Sequence, residues 1–216
     1  MQEPFEIIFE DASIAVLNKI ARILVQPSPK KEKYTLTALL EEKLKMPVYP
    51  CHRLDRETSG LIIYAKSPAL QERVMNEFRQ GIVKKRYLAF ARGRFRQKKG
   101  ILEGYILDRE GKRYGEQPKK AKTSYCVLEE FGDFSVVELE PFTGRTNQIR
   151  IQLAKIGNPI LGERKYAFGK DFKVRFRRLA LHAFFLSFIH PATNQRLQFK
   201  LNLPPDMNEF LKRPQD

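Results

Sequence analysis

Cysteine is scarce in this chain. Only Cys51 and Cys126 occur among 216 residues, and they form no CxxC pair. A disulfide framework is therefore excluded, and a reducing compartment, the cytoplasm, is the expected setting. Histidine is equally sparse: His52, His182 and His190 fall at no metal-ligand spacing. Cys51 and His52 are neighbours, but adjacent residues on a strand point to opposite sides, so they do not make a metal pair. Neither a metal nor another cofactor is expected. No apolar run is long enough to cross a bilayer, and the start, "MQEPFEIIFEDAS", is acidic where a signal peptide is basic. No membrane partner is expected. GxGxxG, GxxxxGK and GxSxG are all missing, which argues against a nucleotide-cofactor fold and a serine-hydrolase elbow. Internal repeats and low-complexity tracts are missing too.

What is abundant is positive charge. Lys and Arg total 40 against 25 acids, a net charge of +15. Such an excess suits a polyanionic partner. Nucleic acid fits better than an anionic membrane, because no amphipathic basic helix stands out. Tyr166, Phe168, Phe172 and Phe176 are also interleaved with Lys165, Lys170, Lys173, Arg175 and Arg177. Cations alternating with aromatic rings suit phosphate contact and base stacking, although the same run reads as a solvated face over core aromatics.

Short apolar runs at 5–9, 13–17 and 61–65 read as strands, and 84–95 alternates as another. Thr35 and Ser67 can cap helices to about Leu44 and to Gln80, the second opened by Pro68 and ended by Gly81. Residues 96–122 are polar, basic and Gly-containing, and read as a loop or hairpin excursion. The stretches 123–131 and 134–141 form a hairpin around Gly132-Asp133. Thr146 can cap a helix carrying Ile149, Leu153 and Ile156, while "QIRIQL" also alternates as a strand would. Two apolar runs, 178–191 and 196–204, close the chain as a strand pair. The fold class predicted is α+β, a mixed, largely antiparallel central sheet with flanking helices and loops.

The stretch "HRLDRETSG", 52–60, places Asp55 between Arg53 and Arg56 at the mouth of a strand. A guanidinium beside a carboxylate keeps it ionised and aims its oxygens. A plain turn cap with Arg53 as its partner reads equally well from these residues alone.

The same stretch resembles the H-R-L-D-x-x-T-S-G signature of the RluA-type pseudouridine synthases. Four more segments resemble that family in its order: "VLNKIARILVQP" (16–27), "KKRYLAFARG" (84–93), "LEPFTGRTNQIRIQLAKIGNPILGERKYA" (139–167) and "RLALHAFFLSFIHP" (178–191). The resemblance implies isomerisation of uridine to pseudouridine in structured RNA, ribosomal or transfer, without cofactor or metal. It implies one catalytic domain over 1–216, a length that leaves no room for an appended RNA-binding domain, and with no apolar patch evident in the sequence a monomer is expected. The implied catalytic residues are Asp55, which attacks the nucleotide or supports base detachment, Tyr87, which stacks on the target uracil, and Arg150, which pairs with Asp55. Arg53 would fill the space left by the flipped nucleotide. Arg145, Leu181, Lys19 and Lys165 complete the implied RNA-contacting set, with Leu181 lining the uracil pocket. His182 reads as structural.

Two departures stand out. Ile20-Ala21-Arg22 replaces the usual Pro-x-Gly after Asn-Lys, and Asn147 replaces the histidine of G-R-T-H-Q-I-R. The competing readings are a non-catalytic RNA-binding or ribosome-assembly protein on the same fold, and a basic DNA-binding module. No helix-turn-helix or zinc pattern supports the latter.

Overall fold

The computed structural model describes residues 3–28, 32–107, 117–167 and 174–212. The chain divides into two compact units, Met1–Lys85 with Ala183–Asn202, and Arg86–His182 with Leu203–Asp216.

In the first unit the strands β1 (Phe5–Glu10), β2 (Ile14–Lys19), β4 (Ser59–Ala65) and β9 (Leu181–Ile189) are neighbours in that order. The short β3 (Tyr49–Pro50) pairs with β4, and β10 (Arg196–Lys200) pairs with β9. The β1–β2, β2–β4, β3–β4 and β9–β10 pairings are antiparallel. Every residue of β4 is buried, as an unbroken apolar run predicts for a strand covered on both faces. Helix α1 (Leu36–Leu44) is capped by Thr35, whose hydroxyl accepts from the Ala38 amide. Helix α2 (Pro68–Gln80) is capped by Ser67 and ended by Gly81, as the sequence indicated. Its Val74, with Leu70 and Phe78, packs on Ile14, Val16, Leu61, Ile63, Leu186 and Phe188. This core fixes the base of the 52–60 loop.

In the second unit the order is β5 (Lys84–Arg92), β8 (Phe134–Pro141), β7 (Lys119–Glu130) and β6 (Lys99–Ile106), again antiparallel. Part of the excursion expected at 96–122 is therefore strand. Leu102, Ile106, Ala121 and Thr123 face inward while the charged residues between them face water. Helix α3 (Gln148–Lys155) settles the "QIRIQL" ambiguity in favour of helix. Its cap residue is Asn147, not Thr146, and it makes no side-chain cap bond. Two buried glutamines fasten this helix to the sheet instead. Gln148 Nε2 donates to Thr123 Oγ1 at 2.9 Å, Thr123 Oγ1 donates to Gln152 Oε1 at 2.6 Å, and Gln152 Nε2 donates to the Leu102 carbonyl at 2.9 Å. A closing helix, α4 (Pro205–Leu211), was not anticipated. It buries Met207 and Phe210, the latter stacked on Phe90 and edge-on to Phe134, and Asp206 pairs with Arg178. The α+β class expected from the sequence is the class observed. Among the described residues no helix is long and apolar enough to cross a membrane.

Candidate active site

The 52–60 loop is built around one tight turn. The Thr58 amide donates to the Asp55 carbonyl at 3.0 Å, so Asp55 opens a turn that delivers the chain into β4. The next carbonyl, that of Arg56, accepts from the Arg22 amide at 2.7 Å and from Lys19 Nζ at 3.3 Å. Lys19 Nζ also donates to the carbonyls of Ile20 at 2.9 Å and Ile23 at 3.0 Å. One ammonium thus ties the 20–23 loop to the turn that carries Asp55. At the far end of the turn Gly60 has φ +116°, and a Cβ there would lie 2.2 Å from the Ala183 carbonyl oxygen. Only glycine lets β4 approach β9 this closely. Asp55 is half-buried, while Arg53 and Arg56 are exposed.

His52 braces the same loop from behind. Its Nε2 accepts from the Ile63 amide at 3.1 Å, and its ring lies 4.9 Å from that of Phe78. Burial, reinforced by the nearby Lys85 charge and opposed by the Arg53 backbone, pushes its pKa down to about 3. The ring is neutral and structural at physiological pH. Burial also lowers the Lys85 pKa.

Tyr87 is buried on β5, opposite Leu139 of β8. It shares its side of the strand with Ala89 and Ala91, two small residues, as alternation along a strand requires.

Arg150 stands on the first turn of α3. Its Nε donates to Glu163 Oε2 at 2.7 Å and its Nη2 to Glu163 Oε1 at 2.8 Å, a two-pronged pair. Nη1 donates to Asn147 Oδ1 at 2.7 Å. The guanidinium carbon lies 5.2 Å from the centroid of the Tyr166 ring, and Lys165 Nζ lies 5.0 Å from that same centroid. The Glu163 side chain is fully buried, and Oε1 accepts from the Lys165 and Tyr166 amides as well. Burial by itself would raise its pKa. The hydrogen bonds and charge of Arg150, with the two amides, outweigh that and lower it.

The remaining expected residues are placed as follows. Lys19, expected among the RNA contacts, is fully buried, and its ammonium donates to three backbone carbonyls around the Asp55 loop. Arg145 is exposed, with Nε donating to the Lys120 carbonyl at 3.1 Å. Leu181 is buried at the start of β9. Lys165 is half-buried beside Tyr166. Phe176 is half-buried and packs 5.2 Å from Phe210 and 6.2 Å from Phe90. Phe168, Lys170, Phe172 and Lys173 lie outside the described residues. Asp55, Arg53 and Lys19 belong to the first unit, and Tyr87, Arg145, Arg150, Lys165 and Leu181 to the second. Among the described residues, no three His, Cys, Asp or Glu side chains are grouped to hold a metal ion.

Glu163 was not singled out from the sequence. Its one signal there is that it is the lone acid in the basic run "GERKYAFGK".

A sequence profile described as RNA pseudouridylate synthase matches residues 13–155. The chain is 34% identical to ribosomal large subunit pseudouridine synthase D of Nitrosomonas europaea, over 97% of this chain and 65% of that protein, just under two thirds of its length. It is 32% identical to tRNA pseudouridine synthase C of Vibrio parahaemolyticus, over 96% of this chain and 94% of that one. The solved structure of human RNA pseudouridylate synthase domain containing 1 is similar at a TM-score of 0.77 and 27% identity. That likeness covers 93% of this chain and 84% of the human one.

Proposed function

Because this chain belongs to the RNA pseudouridylate synthase family, as the profile match over 13–155 shows, we propose that Asp55 is the carboxylate through which it isomerises uridine. The enzyme is an RNA pseudouridine synthase. In this reaction the N1–C1′ bond breaks, the freed uracil turns, and a C5–C1′ bond forms. N1 ends with a proton and C5 loses its own, so atoms and charge balance with no net oxidation or reduction. The family's chemistry runs without metal or cofactor.

A carboxylate can serve such a reaction as nucleophile at C1′, as base, or as the stabiliser of positive charge developing there. The observation that carries the assignment to Asp55 is the construction of its turn. Lys19 Nζ and the Arg22 amide clamp one side, and Gly60 is pressed on the β9 backbone at the other. A mere turn cap would not call for a fully buried lysine. Fixed geometry is what a reacting group needs, since small displacements are costly in rate.

Tyr87 is proposed to stack on the target uracil and to help remove the C5 proton, which a ring with a terminal hydroxyl suits. Arg150 is proposed as the cation serving Asp55. Arg53, exposed beside Asp55, is proposed to occupy the gap left by the flipped uridine, with Leu181 against the uracil and Arg145 and Lys165 on phosphates. Unstacking the uridine costs a few kcal/mol, which contacts to the phosphate backbone offset. The proposed substrate is a folded ribosomal or transfer RNA, the two classes named for the relatives at 34% and 32% identity. The proposed setting is the cytoplasm, which suits two free thiols, with the enzyme acting as a monomer.

The test is tritium release from RNA labelled at uridine C5. The wild type is expected to release tritium and Asp55→Asn to release none while still binding the RNA. Normal release by Asp55→Asn would remove Asp55 from the chemistry.

A further inference from the structure

Arg150 is held more elaborately than a helix-surface arginine requires. A guanidinium carries five N–H donors. Three are committed within its own neighbourhood: Nε and Nη2 to the two oxygens of Glu163, and Nη1 to Asn147 Oδ1. Both acceptors are themselves fixed. Asn147 precedes α3 with φ +53°, a left-handed conformation that asparagine tolerates better than most residues, and it is buried. Glu163 follows Gly162, at φ +79°, where a Cβ would lie 1.8 Å from the Arg178 carbonyl oxygen. The chain just before it is tied on both sides, the Leu161 amide to the Phe90 carbonyl at 2.7 Å and the Ala180 amide to the Leu161 carbonyl at 2.9 Å. The Lys165 and Tyr166 amides then orient the carboxylate itself.

Resting on the function proposed above, we propose that Glu163 and Asn147 are positioning residues that together fix the plane of the Arg150 guanidinium for catalysis. Glu163 takes the edge formed by Nε and Nη2, and Asn147 takes one hydrogen of Nη1. The plane is then set by three bonds rather than by the rotamers of a long side chain. Asn147 adds a second property. It accepts without titrating, whereas a histidine, the usual residue of this motif, accepts only when its ring is neutral. Among the described residues, Asn147 bonds Arg150, Glu163 bonds the same guanidinium, and Lys165 shares the Tyr166 ring with it. An asparagine therefore keeps Arg150 oriented at acid pH.

The test compares the full chain with Arg150→Lys, Glu163→Gln, Asn147→Ala and Asn147→His. The probe is RNA from cells lacking this protein, labelled with tritium at uridine C5. Binding of that RNA is followed separately, and thermal unfolding serves as the folding control. Glu163→Gln is expected to lower kcat about 100-fold and Asn147→Ala about 10-fold, with RNA affinity within about twofold of the wild type. Asn147→His provides the readout that a purely structural role would not move. At pH 8 its neutral ring accepts from Arg150, and kcat stays within about threefold of the wild type. Below about pH 6.5 the ring charges, repels the guanidinium, and kcat falls about a further 10-fold by pH 5, reversibly and unlike the wild type. If Arg150→Lys is impaired while Asn147→His follows the wild-type pH profile, the positioning role is wrong and the proposed function stands. If Arg150→Lys is as active as the wild type, the assigned role of Arg150 fails and the positioning role fails with it.

Discussion

Replacing Lys19 by methionine separates two roles that this residue could have. The substitution keeps the length of the side chain and removes its ammonium. The carbonyls of Ile20, Ile23 and Arg56 lose the ammonium at 2.9, 3.0 and 3.3 Å, and that of Arg56 keeps the Arg22 amide. Hydrogen bonds to a charged group contribute about 1.5–3 kcal/mol each. Against that loss stands the relief of a buried charge, itself worth several kcal/mol. The net expectation is a destabilisation of about 2–4 kcal/mol, within the margin of a typical domain. Urea unfolding would read it as a lower midpoint with an unchanged slope. The Asp55 turn loses one of its clamps, so tritium release from uridine C5 is expected to fall about 100-fold. RNA affinity is expected to stay within about twofold, because a side chain buried this fully has no open path to a phosphate. An unchanged midpoint with weaker RNA binding, and a salt dependence reduced by about one unit of slope, would show Lys19 to be a phosphate contact and refute the reasoning.

Gly60→Ala is expected to cost about 3–5 kcal/mol, because a Cβ would meet the Ala183 carbonyl oxygen at 2.2 Å on a backbone that only glycine adopts readily. Thermal unfolding checks it, and a shift of less than about 1 kcal/mol would mean that β4 and β9 are not pressed together there. His52 titrates near 3 in the folded chain and near 6.5 unfolded, so below pH 6.5 the unfolded state binds the extra proton. Stability is therefore lost as pH falls from 6.5 towards 3, by up to about 2 kcal/mol at pH 5. His52→Gln, which can still accept from the Ile63 amide, is expected to flatten that part of the curve in urea titrations. Asp206→Ala is expected to cost about 1–3 kcal/mol, since it leaves the largely buried Arg178 guanidinium without its carboxylate, and unfolding in urea reads it directly.

Much of this was legible in the sequence, for reasons that can be named. Ser67-Pro68 and Gly81 mark α2 because caps depend on local backbone chemistry alone. The apolar run of β4 reports burial on both faces. The order of five motif segments led to the reaction class, which the profile match and the relatives bear out. What escaped was set by distant parts of the chain. Lysine is almost never fully buried, and nothing local marks Lys19 as an exception. Strand β6 alternates exposed Lys99, Ile101, Glu103 and Tyr105 with positions that include Gly100 and Gly104, a pattern that left loop and hairpin equally open. Thr146 looked like the cap of α3, but the left-handed Asn147 starts that helix and spends its side chain on Arg150. Glu163 meets Arg150 through a loop set by tertiary contacts, and local helix spacing does not reach that far.

The central claim is that the carboxylate at position 55 carries out the isomerisation. It is tested most directly by mapping pseudouridines in total RNA from cells lacking this protein, complemented with the wild type or with Asp55→Asn. At least one position should lose its pseudouridine in the deletion, regain it with the wild type, and stay uridine with Asp55→Asn although that variant is folded and present. Restoration by Asp55→Asn would contradict the account.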